Sequence, residues 1–289
     1  MRVSRFMSGG REGWATLDPS TGLWHGCTEA SPGYPGALDS FVRQGGAALE
    51  QAARHMLEQP EVALDTVRRL PPVGNVPKII CVGLNYVDHS TESGFEQPAY
   101  PTLFSRFNTS LTAHEQAIEH PAVSQMLDYE GELAVVIGKP GRRIPKEQAL
   151  SHVLGYSVFN DGSVRDYQFK TPQWIMGKNF DCTGAFGPDL VTADEVAPGA
   201  RGLKLETRLN GRTVQSANTR DMVFDVESLI VIISEVMTLQ AGDVIVAGTP
   251  AGIGHARQPP LYMKPGDVCE VEIEGIGLLR NRIEQAPPA

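Results

Sequence analysis

No stretch of this chain approaches the roughly 18 uninterrupted apolar residues that a membrane-crossing helix needs. The start, Met1-Arg2-Val3-Ser4-Arg5-Phe6, has no apolar segment of the kind that directs secretion. Cysteine is scarce. Cys27, Cys81, Cys182 and Cys269 lie far apart and form no Cys-x-x-Cys pair, so reduced, buried thiols are expected. These absences predict a cytoplasmic protein. Positive charge is not in excess either: the net charge of −9 argues against nucleic acid or an anionic membrane as partner. Repeats, low-complexity tracts and heptads are missing. So is any regular alternation of strand and helix, which argues against Rossmann and barrel architectures.

What is present is an ordinary globular composition, 41% hydrophobic and 20% charged, on a chain of 289 residues that can bury a sizeable core. Short strands are predicted near Val3–Met7 and Trp14–Leu17, followed by a helical stretch over roughly Leu38–Gln59 that Gly45-Gly46 weakens in its middle. The breaker-rich run Pro71-Pro72-Val73-Gly74-Asn75-Val76-Pro77 is the best boundary, dividing a small N-terminal domain, 1–72, from a larger one, 73–285. Beyond it the chain turns β-rich. Asn210-Gly211 suits the turn of a hairpin over Leu203–Ala217, and Asp225 can cap a helix running to about Leu239. Val271–Ile283 reads as a further strand pair around Gly275 and Gly277. The predicted class is mixed α/β, rich in β.

The most informative segment is Asp128-Tyr129-Glu130-Gly131-Glu132, which runs into the apolar Leu133-Ala134-Val135-Val136-Ile137. That run reads as a buried strand, and carboxylates two apart on a strand face the same way. A third carboxylate, Asp161, ends the apolar stretch Val153–Phe159 and Asn160. Three oxygen ligands with no His or Cys beside them suit a hard cation such as Mg²⁺ or Mn²⁺. Taken alone, the Glu130/Glu132 pair reads more readily as a solvated strand edge.

Further segments carry possible chemistry. In Gly83-Leu84-Asn85-Tyr86-Val87-Asp88-His89-Ser90-Thr91-Glu92, His89 and Glu92 share one side of a helical turn, so the carboxylate can orient a basic imidazole. Arg165 and Gln168 follow Asp161 closely and could bind a carboxylate and a carbonyl, or could be an exposed helix start. Lys178, in Gly177-Lys178-Asn179-Phe180-Asp181, could offset developing negative charge. The glycine loop Ala247–Gly254 could cradle an anion with its amides and the Thr249 hydroxyl. Arg106, inside an apolar run, reads more readily as a structural ion pair.

Together the acidic segment and the blocks around His89, Arg165, Lys178 and Thr249, five in all, resemble the fumarylacetoacetate hydrolase family in their order and spacing over roughly Lys78–Ile283. The resemblance implies a mixed β-sandwich roll, a homodimer, and a divalent metal, Mg²⁺ or Mn²⁺, on Glu130, Glu132 and Asp161. It implies His89 and Glu92 as a water-activating pair, Lys178 as the oxyanion stabiliser, and Arg165, Gln168, Thr249 and Tyr86 as substrate-binding residues. The activity it implies first is cleavage of the C–C bond of an acylpyruvate or other 2,4-dioxo acid. The alternative is an oxaloacetate-type decarboxylase or hydroxymuconate-type isomerase on the same site. Three departures stand out. Gly162 replaces a bulkier residue and is expected to loosen its turn, Arg106 stands where relatives carry lysine, and Asp88 does not match the spacing of a fourth metal carboxylate. Ser93–Tyr100, Tyr167–Trp174 and His255–Tyr262 are expected to form the variable wall of the pocket. Glu92–Phe95 and Tyr167–Gln173 are expected to act as a lid.

Overall fold

The structure, a computed structural model, describes residues 1–92 and 98–287; of residues 89–91 only the backbone is described. Its centre is the strand Gly131–Ile137, buried along its whole length. Alternate residues feed two cores: Leu133, Val135 and Ile137 face one, Ala134 and Val136 the other. A strand buried on both sides reads as a continuous apolar run for this reason.

The main sheet runs, from one edge, Trp24–Thr28, Arg11–Leu17, Arg2–Ser8, Gly184–Thr192, Val153–Asp161, Gly131–Ile137, Val244–Val246, Ile79–Gly83 and Thr102–Arg106. Most neighbours are antiparallel; Val244–Val246 lies parallel to Ile79–Gly83. One face packs on a second sheet, ordered Arg212–Asn218, Lys204–Leu209, Val268–Ile273, Gly277–Gln285 and Ile118–His120, and on the helix Val226–Val236. The other face is covered by Val42, Leu49 and Met56 from two N-terminal helices. This is the β-rich mixed α/β sandwich expected. No helix among the described residues is long and apolar enough to cross a membrane.

Local chemistry explains several boundaries. The stretch expected as one weakened helix is two, Leu38–Gln44 and Gly46–Met56, separated at Gly45, whose φ of 97° lies outside the helical region. Asp225 caps Val226–Val236 by accepting the Ser228 N–H at 2.9 Å, and that helix ends three residues earlier than Leu239. Asn210 and Gly211 take φ of 52° and 76°, as the hairpin turn requires. Residues 1–72 join the rest through continuous pairing, Arg2 opposite Val191 and Val3 opposite Leu190. Arg69 strengthens that seam by donating to the Ser4 hydroxyl at 2.6 Å and to the Asp189 carboxylate.

His114 gives the fold a measurable acid sensitivity. Its Nδ1 accepts the Arg280 backbone N–H at 3.1 Å, and burial together with the Arg69 charge pushes its pKa down to about 4. The unfolded chain takes up this proton near pH 6.5 and the folded chain does not, so the contribution is complete above that value and lost on descent to about 4. Urea denaturation should show a loss on the order of 2–3 kcal/mol across that window relative to His114→Gln, whose amide oxygen can still accept the N–H. Parallel pH profiles for the two proteins would overturn the assignment.

Candidate active site

Strand pairing brings the acidic residues together. Asp161 N–H donates to the Glu130 carbonyl at 2.8 Å, and Glu130 N–H donates to the Asn160 side chain at 3.0 Å. Glu130, Glu132 and Asp161 are buried, and each places a carboxylate oxygen within 4.8 Å of the others. Such crowding in a dry site needs positive charge. Burial first, then Asp161 and Glu130, push the Glu132 pKa well above the ordinary carboxylate range.

Three cations answer. Lys178 Nζ lies between Glu130 Oε2 at 2.5 Å and Asp161 Oδ2 at 2.6 Å. Burial alone would lower its pKa, but Asp161 and Glu130 outweigh that and raise it, so the ammonium is charged. Arg106 donates to Asp161 Oδ1 at 2.5 Å, to the Gly162 carbonyl at 3.1 Å and to Thr183 Oγ1 at 2.8 Å. It is the structural ion pair expected. Arg165 donates to Asp128 Oδ2 at 2.9 Å, Gln168 Oε1 at 2.8 Å and Glu130 Oε1 at 2.7 Å. Its fork therefore orders Glu130 rather than standing open for a substrate carboxylate. Among the described residues, Glu132 is the carboxylate of the triad that makes no ion pair to a side chain; its Oε2 accepts the Gly248 N–H at 2.6 Å.

An all-oxygen triad fits a hard divalent cation. The charge repulsion that raises Glu132 is what such an ion would relieve, so the residues present suit the group.

Glycines permit the close approaches. A Cβ on Gly177 would lie 2.4 Å from the Gln168 nitrogen, so only glycine lets the Ile175–Lys178 turn carry Lys178 against Arg165–Gln168. Gly162 does not loosen its turn. A Cβ there would meet the Thr183 carbonyl at 2.1 Å, so the glycine allows tight packing where Arg106 reaches its carbonyl.

The loop expected to cradle an anion spends its amides on the protein's own carboxylates. Besides Gly248 on Glu132, Gly252 N–H donates to Glu92 at 2.9 Å. Gly254 and His255 N–H donate to Asp128 at 2.8 and 2.9 Å. The Thr249 hydroxyl donates to the Gly131 carbonyl at 3.1 Å and accepts from Gln215 at 2.8 Å.

These residues open on a cavity of about 160 Å³ lined by, among others, Glu130, Glu132, Gln168, Trp174, Lys178 and His255. Arg165 and Thr249 also line it; Tyr86 does not, and burial followed by the Glu132 charge pushes its hydroxyl pKa up. The Gln168 oxygen is taken by Arg165, and its amide NH₂ has no partner among the described residues. His89 sits on the short helix Val87–Glu92, but its side chain lies outside the described part, as do residues 93–97 of the expected lid and wall.

His255 opens the expected wall segment His255–Tyr262 and does line the cavity, whereas Asp128 and Gln215 were not singled out from sequence as site residues. Asp128 joins Arg165 to the glycine loop, and Gln215 joins Gly131 to Thr249 and Pro250. The aspartate stands in the acidic motif itself, which is the signal that could have found it. Nothing local marks Gln215.

A sandwich of this kind with a buried acidic triad at its strand ends could hold a metal ion, and comparison with known proteins places the chain in an enzyme family. Residues 78–284 match the model described as fumarylacetoacetate hydrolase, C-terminal. The chain belongs to the fumarylacetoacetate hydrolase family. It is 42% identical over 255 residues to a human protein named as a mitochondrial oxaloacetate tautomerase, covering 87% of this chain and 81% of that one. A fumarylacetoacetate hydrolase from Exiguobacterium antarcticum superimposes with a TM-score of 0.85 at 37% identity, over 99% of each chain. A 2-hydroxyhepta-2,4-diene-1,7-dioate isomerase from Mycobacterium marinum gives 0.75 at 32% identity, over 100% of each.

Lys178→Met should expose the role of the buried ammonium. Removing one partner of a buried ion pair typically costs roughly 3–5 kcal/mol. Urea denaturation in EDTA should show a loss of that order, and Mg²⁺ should restore part of it by supplying charge to the same carboxylates. Unchanged stability in EDTA would sink this account.

Proposed function

We propose that this protein is a divalent-metal-dependent enzyme that interconverts keto and enol forms of a small dicarboxylic 2-oxo acid of the oxaloacetate type. One observation carries the reading: a charged lysine wedged between Glu130 and Asp161 beside a third buried carboxylate, in a cavity of only about 160 Å³. That volume is below the usual range for drug-sized ligands and suits a few-carbon acid. The sequence favours hydrolysis of an acylpyruvate. The activities named for the tautomerase and isomerase relatives support the alternative, an oxaloacetate-type decarboxylase or hydroxymuconate-type isomerase on the same site, in part, and both names point to enolisation.

Mg²⁺ or Mn²⁺ on Glu130, Glu132 and Asp161 would, when bound, polarise the 2-oxo group as a Lewis acid and seat the adjacent carboxylate. Lys178 holds fixed positive charge at the same carboxylates and stabilises negative charge developing on the 2-oxo oxygen. Gln168 donates its amide NH₂ to a carboxylate or carbonyl oxygen of the substrate. His89 is assigned the proton taken from the carbon beside the 2-oxo group. That proton count closes when the oxygen is protonated, so nothing is gained or lost overall. Glu92, on the next helical turn, is docked on the Gly252 amide and ties the His89 helix to the pocket rim.

The test follows ketonisation of enol-oxaloacetate by its absorbance. Mg²⁺-loaded protein should accelerate it, while Glu132→Ala or EDTA treatment should lower the rate by about 10²-fold or more, and Lys178→Met by a similar factor. Turnover undiminished in EDTA would remove the metal from the reading. Cleavage of acylpyruvates much faster than ketonisation, abolished in His89→Ala, would return the site to hydrolysis.

A further inference from the structure

We infer that His255, held from behind by Tyr262, is the specificity-determining residue for the substrate's second carboxylate. This rests on the 2-oxo acid reading above and adds to it what the other end of the ligand meets. His255 lines the same cavity as Glu130, Glu132 and Lys178 but is hydrogen-bonded to none of them. Its backbone N–H is fixed on Asp128 at 2.9 Å, and Asp128 in turn holds Arg165. Asp128 thus links the His255 backbone to Arg165, whose fork also reaches Glu130, while the imidazole lines the cavity without bonding the triad. It is therefore placed to meet the other end of a ligand held at the triad.

The ring's orientation and tautomer are determined by its neighbours. His255 Nδ1 lies 2.8 Å from the Tyr262 hydroxyl. The ring stacks obliquely on Phe169, with centroids 5.3 Å apart, and on Tyr262 at 6.3 Å. Burial and the charge of Asp128 raise the Tyr262 pKa, so the phenol keeps its proton and donates it. Nδ1 is then the acceptor and Nε2 carries the hydrogen. Nε2 has no protein partner among the described residues. Burial and the neighbouring Arg165 lower the His255 pKa, with Asp128 opposing, so the ring is a neutral donor at neutral pH. A neutral N–H beside a guanidinium that is itself occupied favours an anionic oxygen while adding no charge of its own. The matching chemistry is a terminal carboxylate a few carbons from the 2-oxo acid end.

Two probes separate this role from mere wall-building. Oxalate carries the chelating end alone. 3,3-Difluoro-oxaloacetate carries both ends and has no enolisable proton. Their dissociation constants are measured on Mg²⁺-loaded protein by calorimetry, with Trp174 fluorescence as a second signal because that ring lines the cavity. His255→Phe keeps the aromatic packing and removes the donor. It should weaken the C4 probe by roughly 10- to 100-fold, as expected for a lost hydrogen bond to a charged group, and leave oxalate within about twofold. Tyr262→Phe, which frees the tautomer, should weaken the C4 probe by a smaller factor. His255→Gln, which retains an N–H donor, should recover part of the loss. Equal weakening of both probes by His255→Phe, or no weakening of either, overturns the inference while leaving the 2-oxo acid reading intact. Failure of the unmutated protein to bind either probe overturns that reading, and the inference with it.

Discussion

The structure is organised around one electrostatic constraint: four carboxylates, Asp128, Glu130, Glu132 and Asp161, are buried within a single site. Charges of one sign cannot be desolvated together without compensation. Arg106, Arg165 and Lys178 supply it, and each touches at least one of the four. There is one more carboxylate than there are cations. The deficit falls on Glu132, which has a backbone amide where its neighbours have ammonium or guanidinium groups. A site left one charge short in this way could accept a cation from solution.

Holding that arrangement explains features that otherwise look unrelated. The antiparallel register delivers Glu130 and Asp161 side by side, because Asp161 N–H bonds the Glu130 carbonyl. The glycine loop acts as a row of fixed dipoles, with the Gly248, Gly254 and His255 amides aimed at Glu132 and Asp128. Backbone donors cost little reorganisation when charge shifts nearby, so the loop can hold these carboxylates through a change in local charge. The N-terminal helices cover the core on the face of Ala134 and Val136, keeping water from the strand that carries Glu132.

Much of this was legible in the sequence because it is local. The period-two placement of Glu130 and Glu132, the apolar runs behind them, the Asn210-Gly211 turn and the Asp225 cap all follow from residues adjacent in the chain. What was illegible is long-range. Gln215 lies 84 residues from Gly131, and Arg165 lies 37 from Asp128. A polar side chain in a hairpin gives no sign of which distant backbone it will satisfy. The partners of Arg165 were hidden for the same reason. Its type suits a substrate carboxylate as well as it suits Asp128 and Glu130, and only proximity decides. Gly162 was misread because a glycine that permits freedom and one that permits contact are the same letter. Trp24–Thr28 was missed as a strand because its pairing partner, not its own pattern, makes it one.

The charge balance also constrains what can bind. The chain as a whole is acidic, with a net charge of −9, so long-range attraction does not draw an anion toward it. Selection must act inside the cavity, where low dielectric makes single charges count. The four carboxylates and three cations leave one negative charge, and a divalent ion on the triad would turn that into one positive charge. A neutral ligand would leave it uncompensated. A doubly ionised small acid would place one carboxylate against the positive centre and carry the other away from it, toward Arg165 and the imidazole of His255. The second carboxylate would then meet hydrogen-bond donors, Arg165 and Lys178 being already paired with the protein's own carboxylates. An excess of fixed charge at that end would bind the acid more tightly without distinguishing its enol from its keto form, and binding both forms equally contributes nothing to the rate of their interconversion.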